Sequence, residues 1–121
     1  MGRYLRLVRL SVVRRYSFEA AHVLSWHAGK CSRMHGHSYH LEVEVAGEPN
    51  ENGVVMDFAD VDEVVDPVLS ELDHHLLNDL IDNPTAEMTS LHIARELSSR
   101  GLPWCRLRLW ETDSGSVLLE R

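Results

Sequence analysis

Two histidines that flank a single glycine, His35 and His37, are the residues of this sequence best suited to bind a metal ion. Side chains two positions apart on a β-strand project from the same face, so both imidazoles can reach one point. His22 ends an earlier stretch with strand-like alternation, and pairing of the two strands would bring a third imidazole there. Three neutral histidines suffice for a catalytic zinc whose fourth position stays open to water or substrate. The competing interpretation is a set of solvated or core histidines.

Cys31, which lies between Lys30 and Arg33 in the turn before this histidine pair, gives the cluster a second possible chemistry. Its thiol could complete a closed zinc site of one cysteine and three histidines, and such a site would be structural. Alternatively, the histidines alone hold the metal and Cys31 remains free as a base. Cations that point towards a thiol favour its reactive form. The spacing alone leaves both arrangements open.

Asp73-His74 and Glu111 are the remaining candidates for acid–base or binding chemistry. An aspartate beside a histidine can orient the ring and stabilise its protonated form, although the pair could equally be a polar helix end. Glu111 shares a predicted strand face with Leu107 and Leu109. A carboxylate on such a face can bind the N–C–NH₂ edge of a pterin or guanine through two hydrogen bonds. The alternative is a strand-end glutamate in solvent.

Hydrophobic periodicity predicts the elements that must position these residues. Alternation with period two predicts two long strands and three shorter ones, over residues 8–22, 35–45, 54–58, 105–111 and 117–119. Helical spacing predicts a first helix over residues 61–72, which Pro67 should loosen or kink. A second helix should begin near Thr85 and end at Gly101. The pattern indicates one α+β domain, residues 1–121, with a largely antiparallel sheet.

The bulk composition excludes several functional classes. A length of 121 residues fits a single domain, and the net charge of −7 argues against a nucleic-acid partner. No stretch approaches the ~18 consecutive apolar residues of a transmembrane helix, so we expect no membrane partner and a cytoplasmic location. In that compartment Cys31 and Cys105 are expected to be free thiols.

Six segments in order resemble the 6-pyruvoyl-tetrahydropterin synthase / 6-carboxytetrahydropterin synthase family, over nearly the whole chain. They are Phe18-Glu-Ala-Ala-His22, Cys31-Ser-Arg-Met-His35-Gly-His37, Met56-Asp57-Phe58, Leu72-Asp73-His74-His75-Leu-Leu-Asn78, Asn83-Pro-Thr-Ala-Glu87 and Glu111-Thr112. Each segment alone is common, but the combination is highly specific. The resemblance implies the tunnelling fold, in which an antiparallel four-stranded sheet carries two helices on one face and assembles into barrels. It also implies a homohexamer with active sites between subunits.

The resemblance further implies that His22, His35 and His37 bind Zn²⁺, and that Cys31 is the proton-abstracting base and not a ligand. Cys31 lies four positions before His35, which looks like the carboxy-forming branch of the family. Those enzymes convert dihydroneopterin triphosphate to 6-carboxytetrahydropterin with release of acetaldehyde and triphosphate, on the route to queuosine and other 7-deazapurines. This reaction is the expected function.

The other family positions imply how a pterin triphosphate substrate would be handled. Asp73 and His74 would form the second acid–base element, and Glu111 would anchor the pterin ring beside Thr85 and Glu87. Three alternatives stay open at this point: the pyruvoyl-forming reaction, another pterin enzyme of the same fold such as an aldolase or epimerase, and a non-catalytic zinc-stabilised domain that only binds a pterin or another partner.

Overall fold

The computed structural model describes residues 7–121, and two long antiparallel strands form the centre of its sheet. Strand β1 is Ser11–His22 and strand β2 is His35–Ala46. Their register runs from Ser11 opposite Ala46 to His22 opposite His35. Since side chains alternate between the two faces of a strand, this register places the histidine at the end of β1 beside the histidine at the start of β2.

Three shorter strands complete the sheet. Strand β4, Arg106–Trp110, pairs with β2, and strand β5, Ser116–Glu120, pairs with β4, both in antiparallel register. These four strands agree with the predicted antiparallel sheet. A fifth strand, β3, comprises only His75–Leu76 and pairs with β1 in parallel register, so the order is β3-β1-β2-β4-β5. The sheet is therefore open within one chain, with β3 and β5 at its edges.

Two helices cover one face of the sheet. Helix α1, Phe58–Leu72, begins where the Asp57 carboxylate accepts a hydrogen bond from the backbone N–H of Ala59. Helix α2, Ala86–Ser99, begins where the Thr85 hydroxyl accepts one from Met88. Each bond satisfies an N–H that a helix N-terminus otherwise leaves without a partner.

Apolar residues from the helices and from alternate positions of the strands form the core. Its large and almost fully buried members include Tyr39, Leu41, Leu72, Leu77, Ile93, Leu97, Leu107 and Leu109. Burial of each large apolar side chain contributes on the order of 1.5–3 kcal/mol. His22 is fully buried among these residues, so the core itself fixes the place of one candidate ligand.

The structure corrects two predicted strands and leaves one helix longer than predicted. Residues 54–58 form no strand, because the chain turns through Gly53 and then enters α1 directly at its Asp57 cap. The first strand begins at Ser11 and not at residue 8, and Val8 and Leu10 are exposed. Helix α1 continues through Pro67 to Leu72. Among the described helices, none has the length and apolarity needed to cross a membrane.

Candidate metal centre and active site

Three histidines and one glutamate converge at the end of β1. The imidazole centroids of His22, His35 and His37 lie 4.5, 5.0 and 4.8 Å apart in pairs. Glu111 adds a carboxylate, whose Oε1 lies 3.0 Å from His37 Nε2 and 3.4 Å from His22 Nε2. One ligand atom from each of the four lies within 4.8 Å of the others. We call these four residues the histidine–glutamate cluster.

Two backbone carbonyls determine which ring nitrogen of His22 and of His35 points towards the other members of the cluster. His22 Nδ1 lies 2.8 Å from the carbonyl oxygen of Pro84, and His35 Nδ1 lies 2.7 Å from that of Arg33. Because a carbonyl oxygen only accepts, each Nδ1 carries the hydrogen and each neutral ring presents a bare Nε2. The two Nε2 atoms nevertheless lie only 2.9 Å apart.

This approach of two bare acceptors requires a positive charge between them. His37 Nε2 is also buried and has no hydrogen-bond partner within the described chain, although Glu111 Oε1 is close to it. A proton could satisfy one pair of acceptors, but four converging donors suit a metal ion. Three imidazoles and a carboxylate are ligands that zinc and other divalent transition metals accept. The residues therefore fit a metal, and the fit alone leaves its identity open.

Burial favours the form of His37 that metal binding requires. Desolvation lowers the pKa of His37, opposed by the nearby Glu111 carboxylate and reinforced by His22 and His35. A lowered pKa favours the neutral ring, which is the form that binds metals. Tyr39, fully buried below the cluster, has its pKa raised by desolvation and by Glu111, so its hydroxyl stays protonated near His22 Nδ1, 3.5 Å away.

Cys31 lies near this cluster in sequence but does not join it. Its backbone carbonyl accepts a hydrogen bond from the N–H of Leu24 at 3.0 Å, which closes the loop between β1 and β2. The thiol is free and half-buried, and the group of metal-ligating atoms found in residues 7–121 contains no sulfur. The fourth donor that the structure brings to the histidines comes from Glu111, which favours the arrangement with a free thiol.

Asp73 and His74 are placed together at the outer edge of β1. His74 Nδ1 lies 3.0 Å from Asp73 Oδ1, which also accepts a hydrogen bond from the backbone N–H of Glu19 at 2.8 Å. These two bonds, that from Glu19 first, lower the pKa of Asp73. Glu19 precedes His22 by three residues, about 10 Å along a strand. The Asp73–His74 pair is therefore held at the outer edge of β1, beside Glu19.

His74 combines a rare backbone conformation with an exposed side chain beside a cavity. The residue has a positive φ of 58°, a conformation that non-glycine residues seldom adopt, and its side chain is 76% exposed. It borders an open cavity of about 420 Å³ that is also lined by Glu19, Gly36 and Ser38, and by His37 of the histidine–glutamate cluster. An exposed and conformationally strained histidine is a feature of functional sites.

Thr85 and Glu87 lie beside the cluster through the chain that precedes α2. The carbonyl of Pro84 contacts His22, so Thr85 follows directly after a residue of the cluster's surroundings. The Thr85 hydroxyl is engaged as the helix cap, at 3.1 Å from the N–H of Met88, and Glu87 is exposed on the first turn. The structure records no contact between either side chain and the cluster.

Three contributors to the site escaped the sequence analysis. The Pro84 and Arg33 carbonyls are backbone groups, so no residue type could reveal them. Asn83, with a positive φ of 49°, accepts a hydrogen bond from Trp26 Nε1 at 2.6 Å and so ties the Cys31 loop to the turn before α2. The Asn83-Pro84 pair is a turn signal, but a turn signal does not show what the turn contacts.

Comparison with known proteins agrees with this geometry. The chain is 44% identical over 97 residues, 80% of its length and 84% of the relative, to a putative 6-carboxy-5,6,7,8-tetrahydropterin synthase of Archaeoglobus fulgidus. It is 40% identical over 117 residues, 93% of its length and 99% of the relative, to a dihydroneopterin monophosphate aldolase of Pyrococcus furiosus. A 6-carboxy-5,6,7,8-tetrahydropterin synthase of Synechocystis is 40% identical over 100 residues, 76% of this chain and 78% of that one.

A solved structure shows the same fold. The 6-pyruvoyl tetrahydropterin synthase of Caenorhabditis elegans superposes with a TM-score of 0.83 and 24% identity, over 94% of this chain and 96% of that one. The predicted tunnelling fold is thereby confirmed at the level of the chain. The sequence profile described as 6-pyruvoyl tetrahydropterin synthase matches residues 11–121. The matched profile and the similar relatives show that this chain belongs to the 6-pyruvoyl tetrahydropterin synthase family.

Proposed function

We propose that this protein is a zinc-dependent 6-carboxytetrahydropterin synthase. It would convert 7,8-dihydroneopterin triphosphate to 6-carboxy-5,6,7,8-tetrahydropterin and release acetaldehyde and triphosphate. The product would feed queuosine and other 7-deazapurines. The observation that carries the proposal is the pair of bare Nε2 atoms of His22 and His35, 2.9 Å apart beside a third histidine. The names of the relatives from Archaeoglobus and Synechocystis support this choice of reaction.

The three histidines would hold zinc, and the remaining residues would handle protons and the ring. Bound zinc would supply Lewis acidity that polarises the oxygens of the substrate side chain. The Cys31 thiolate would remove a proton from the carbon next to the ring. Asp73 would orient His74, which would deliver a proton on the other side of that carbon chain.

The place of the Asp73–His74 pair in the sheet supports an assembled enzyme. The pair is held at the outer edge of β1 beside Glu19, and within residues 7–121 it has no recorded hydrogen bond to the histidine–glutamate cluster. We propose a homohexamer in which this pair serves the cluster of a neighbouring subunit. The open edges of the sheet at β3 and β5 are suited to such an assembly, because unpaired strand edges readily pair with another chain.

Glu111, assisted by Thr85 and Glu87, would bind the pterin ring. The Glu111 side chain is only 24% exposed, and a partly desolvated carboxylate makes strong charge-assisted hydrogen bonds to two N–H donors. This orientation would bring the substrate side chain to the metal and to Cys31. The short spacing between Cys31 and His35 keeps the thiol close to the ligands, which is the reason for preferring carbon–carbon cleavage over retention of a pyruvoyl group.

The direct test is incubation of the purified zinc-loaded protein with dihydroneopterin triphosphate. Mass analysis should identify 6-carboxytetrahydropterin, and a coupled assay should detect acetaldehyde in equal amount. Triphosphate release without acetaldehyde, together with an intact pyruvoyl side chain, would identify the pyruvoyl-forming reaction. Absence of any turnover, with retained pterin binding, would support a non-catalytic pterin-binding domain.

A second candidate, dihydroneopterin monophosphate aldolase activity, is favoured by one observation. The Pyrococcus furiosus enzyme of that name aligns with 93% of this chain and over 99% of its own length. Both candidate reactions break a carbon–carbon bond of the pterin side chain, so the same acid–base residues could serve either. Incubation with dihydroneopterin monophosphate separates them, because an aldolase releases a phosphorylated two-carbon aldehyde and no acetaldehyde.

A further inference from the structure

We propose that Glu111 is a displaceable fourth metal ligand. Its Oε1 closes the metal centre while the site holds no substrate, and it leaves the metal when the carboxylate binds a pterin ring. The second half of this proposal rests on the proposed function, whereas the first half concerns the protein and its metal alone.

The spacing of the donor atoms supports a four-ligand set. Ligands at 2.0–2.1 Å from a tetrahedral zinc are separated from one another by about 3.3 Å. The separations here are 2.9 Å between His22 Nε2 and His35 Nε2, 3.0 Å between Glu111 Oε1 and His37 Nε2, and 3.4 Å between Glu111 Oε1 and His22 Nε2. All four ligand atoms lie within 4.8 Å of one another, so Glu111 Oε1 is placed where it could share one metal ion with the three histidines.

Charge supports the same assignment. Three neutral imidazoles leave the full double charge of a metal ion uncompensated in a half-buried site, and a buried charge without a partner is costly. The Glu111 carboxylate is the acidic group that the structure places in this cluster, and one oxygen makes both recorded contacts with the histidines. A single-oxygen contact is how a carboxylate completes a tetrahedral zinc site.

The position of Glu111 in the chain allows it to move. It follows the last residue of β4 and belongs to the turn that joins β4 to β5, where its own N–H donates to the Gly115 carbonyl at 3.1 Å. Its side chain can therefore rotate away from the histidines without breaking the pairing between β2 and β4.

The two roles of Glu111 exclude each other at any one moment. Two hydrogen bonds to the N–C–NH₂ edge of a pterin engage both carboxylate oxygens, and Oε1 then no longer faces the metal. Seating of the ring would thus open the fourth position at the time when the substrate side chain arrives. In the absence of substrate, the carboxylate would keep water from that position.

Metal affinity tests the first half without any substrate. Competition for Zn²⁺ against a chromophoric chelator should show an affinity at least about tenfold weaker in Glu111→Gln and Glu111→Ala than in the wild type. Glu120→Gln is the matched control, because that glutamate is on β5 and contacts Arg106. Circular dichroism checks that each variant folds. Unchanged affinity in both Glu111 variants would overturn the proposal that this residue binds the metal.

Cobalt spectroscopy tests the displacement. Four-coordinate Co²⁺ absorbs visible light more strongly than five- or six-coordinate Co²⁺, so the substituted wild type should show an intense band that changes when sepiapterin is added. Glu111→Ala should start from a different band. If sepiapterin binds the wild type but leaves the cobalt band unchanged, displacement is refuted. If sepiapterin does not bind, the pterin function and displacement both fail, and the affinity measurement still decides whether Glu111 is a ligand.

Discussion

Strand β1 contributes to two groups of polar side chains, one near each of its ends, and the groups differ in how completely their hydrogen bonds are satisfied. Near its start, Arg14 Nε and Nη2 each donate to an oxygen of Asp62 at 3.0 Å, and the Tyr16 hydroxyl donates to the same carboxylate. At its end, the histidine–glutamate cluster brings acceptors together without a donor. Each group contains side chains of β1: Arg14 and Tyr16 in the first and His22 in the second.

This difference separates a structural polar group from a functional one. The hydrogen bonds and charges of the first group raise the pKa of Arg14 and lower that of Asp62, so each partner stabilises the charged form of the other. The group is complete and joins β1 to α1. The cluster is incomplete, because His22 Nε2 and His35 Nε2 face each other as acceptors at 2.9 Å. Incomplete satisfaction in an ordered site indicates a missing positive charge.

Removal of one histidine should give the largest effect. We expect His35→Ala to lose stoichiometric metal after dialysis against a mild chelator, because a metal site that loses one of its imidazole donors binds far more weakly. Elemental analysis of the dialysed protein measures the remaining metal. Asp62→Ala removes a member of the complete group and should retain full metal content.

Cys31→Ala is the decisive companion to this measurement. The free-thiol arrangement predicts that it keeps its metal, since the structure gives the fourth donor position to Glu111. Metal loss in Cys31→Ala, or a Zn–S shell in X-ray absorption of the resting protein, would restore the closed site of one cysteine and three histidines.

Loss of the second acid–base element should give the next largest effect. We expect His74→Ala to retain metal while turnover falls by about 10²–10⁴, the usual contribution of a positioned acid or base. If the pair serves a neighbouring subunit, oligomers reassembled from His74→Ala and Cys31→Ala chains should regain part of the activity, since some sites then hold both intact residues. Mixed oligomers as inactive as their parents would place both residues in one chain's site.

The sequence predicted the parts of this site that depend on strand periodicity. Period two places His35 and His37 on one face, and the same alternation along β1 places His22 on the matching face. Six short segments in family order identified the fold. A residue type at a fixed spacing carries this information, because the geometry of a strand does not depend on its surroundings.

Contacts that cross between elements could not be predicted in the same way. Glu111 was expected on the right face but as a ring anchor, and its distance from His37 depends on how the β4–β5 turn places its side chain. Residues 54–58 look like a strand by composition, yet Asp57 caps a helix there. The Asp57 carboxylate bonds to Ala59 only two residues away, so a local cap sets this boundary and the strand-like composition hides it.

The smallest expected effect is on thermal stability, and it comes from the Arg14–Tyr16–Asp62 group. Its own hydrogen bonds, that from Arg14 first, hold the pKa of Asp62 below its ordinary value. A carboxylate with a lowered folded-state pKa adds stability that is present above its unfolded pKa, about 3.9, and lost as the pH falls through the lower folded value. Asp62→Asn should therefore melt a few degrees below the wild type at pH 7, and the gap should narrow below pH 4. Thermal melts across this range measure the gap, with the exposed Glu63→Gln on the same helix as control. A difference in melting temperature that does not depend on pH would mean that packing, and not the charge of Asp62, joins β1 to α1. A loss of metal in Asp62→Asn would mean that the Arg14–Tyr16–Asp62 group also supports the histidine–glutamate cluster.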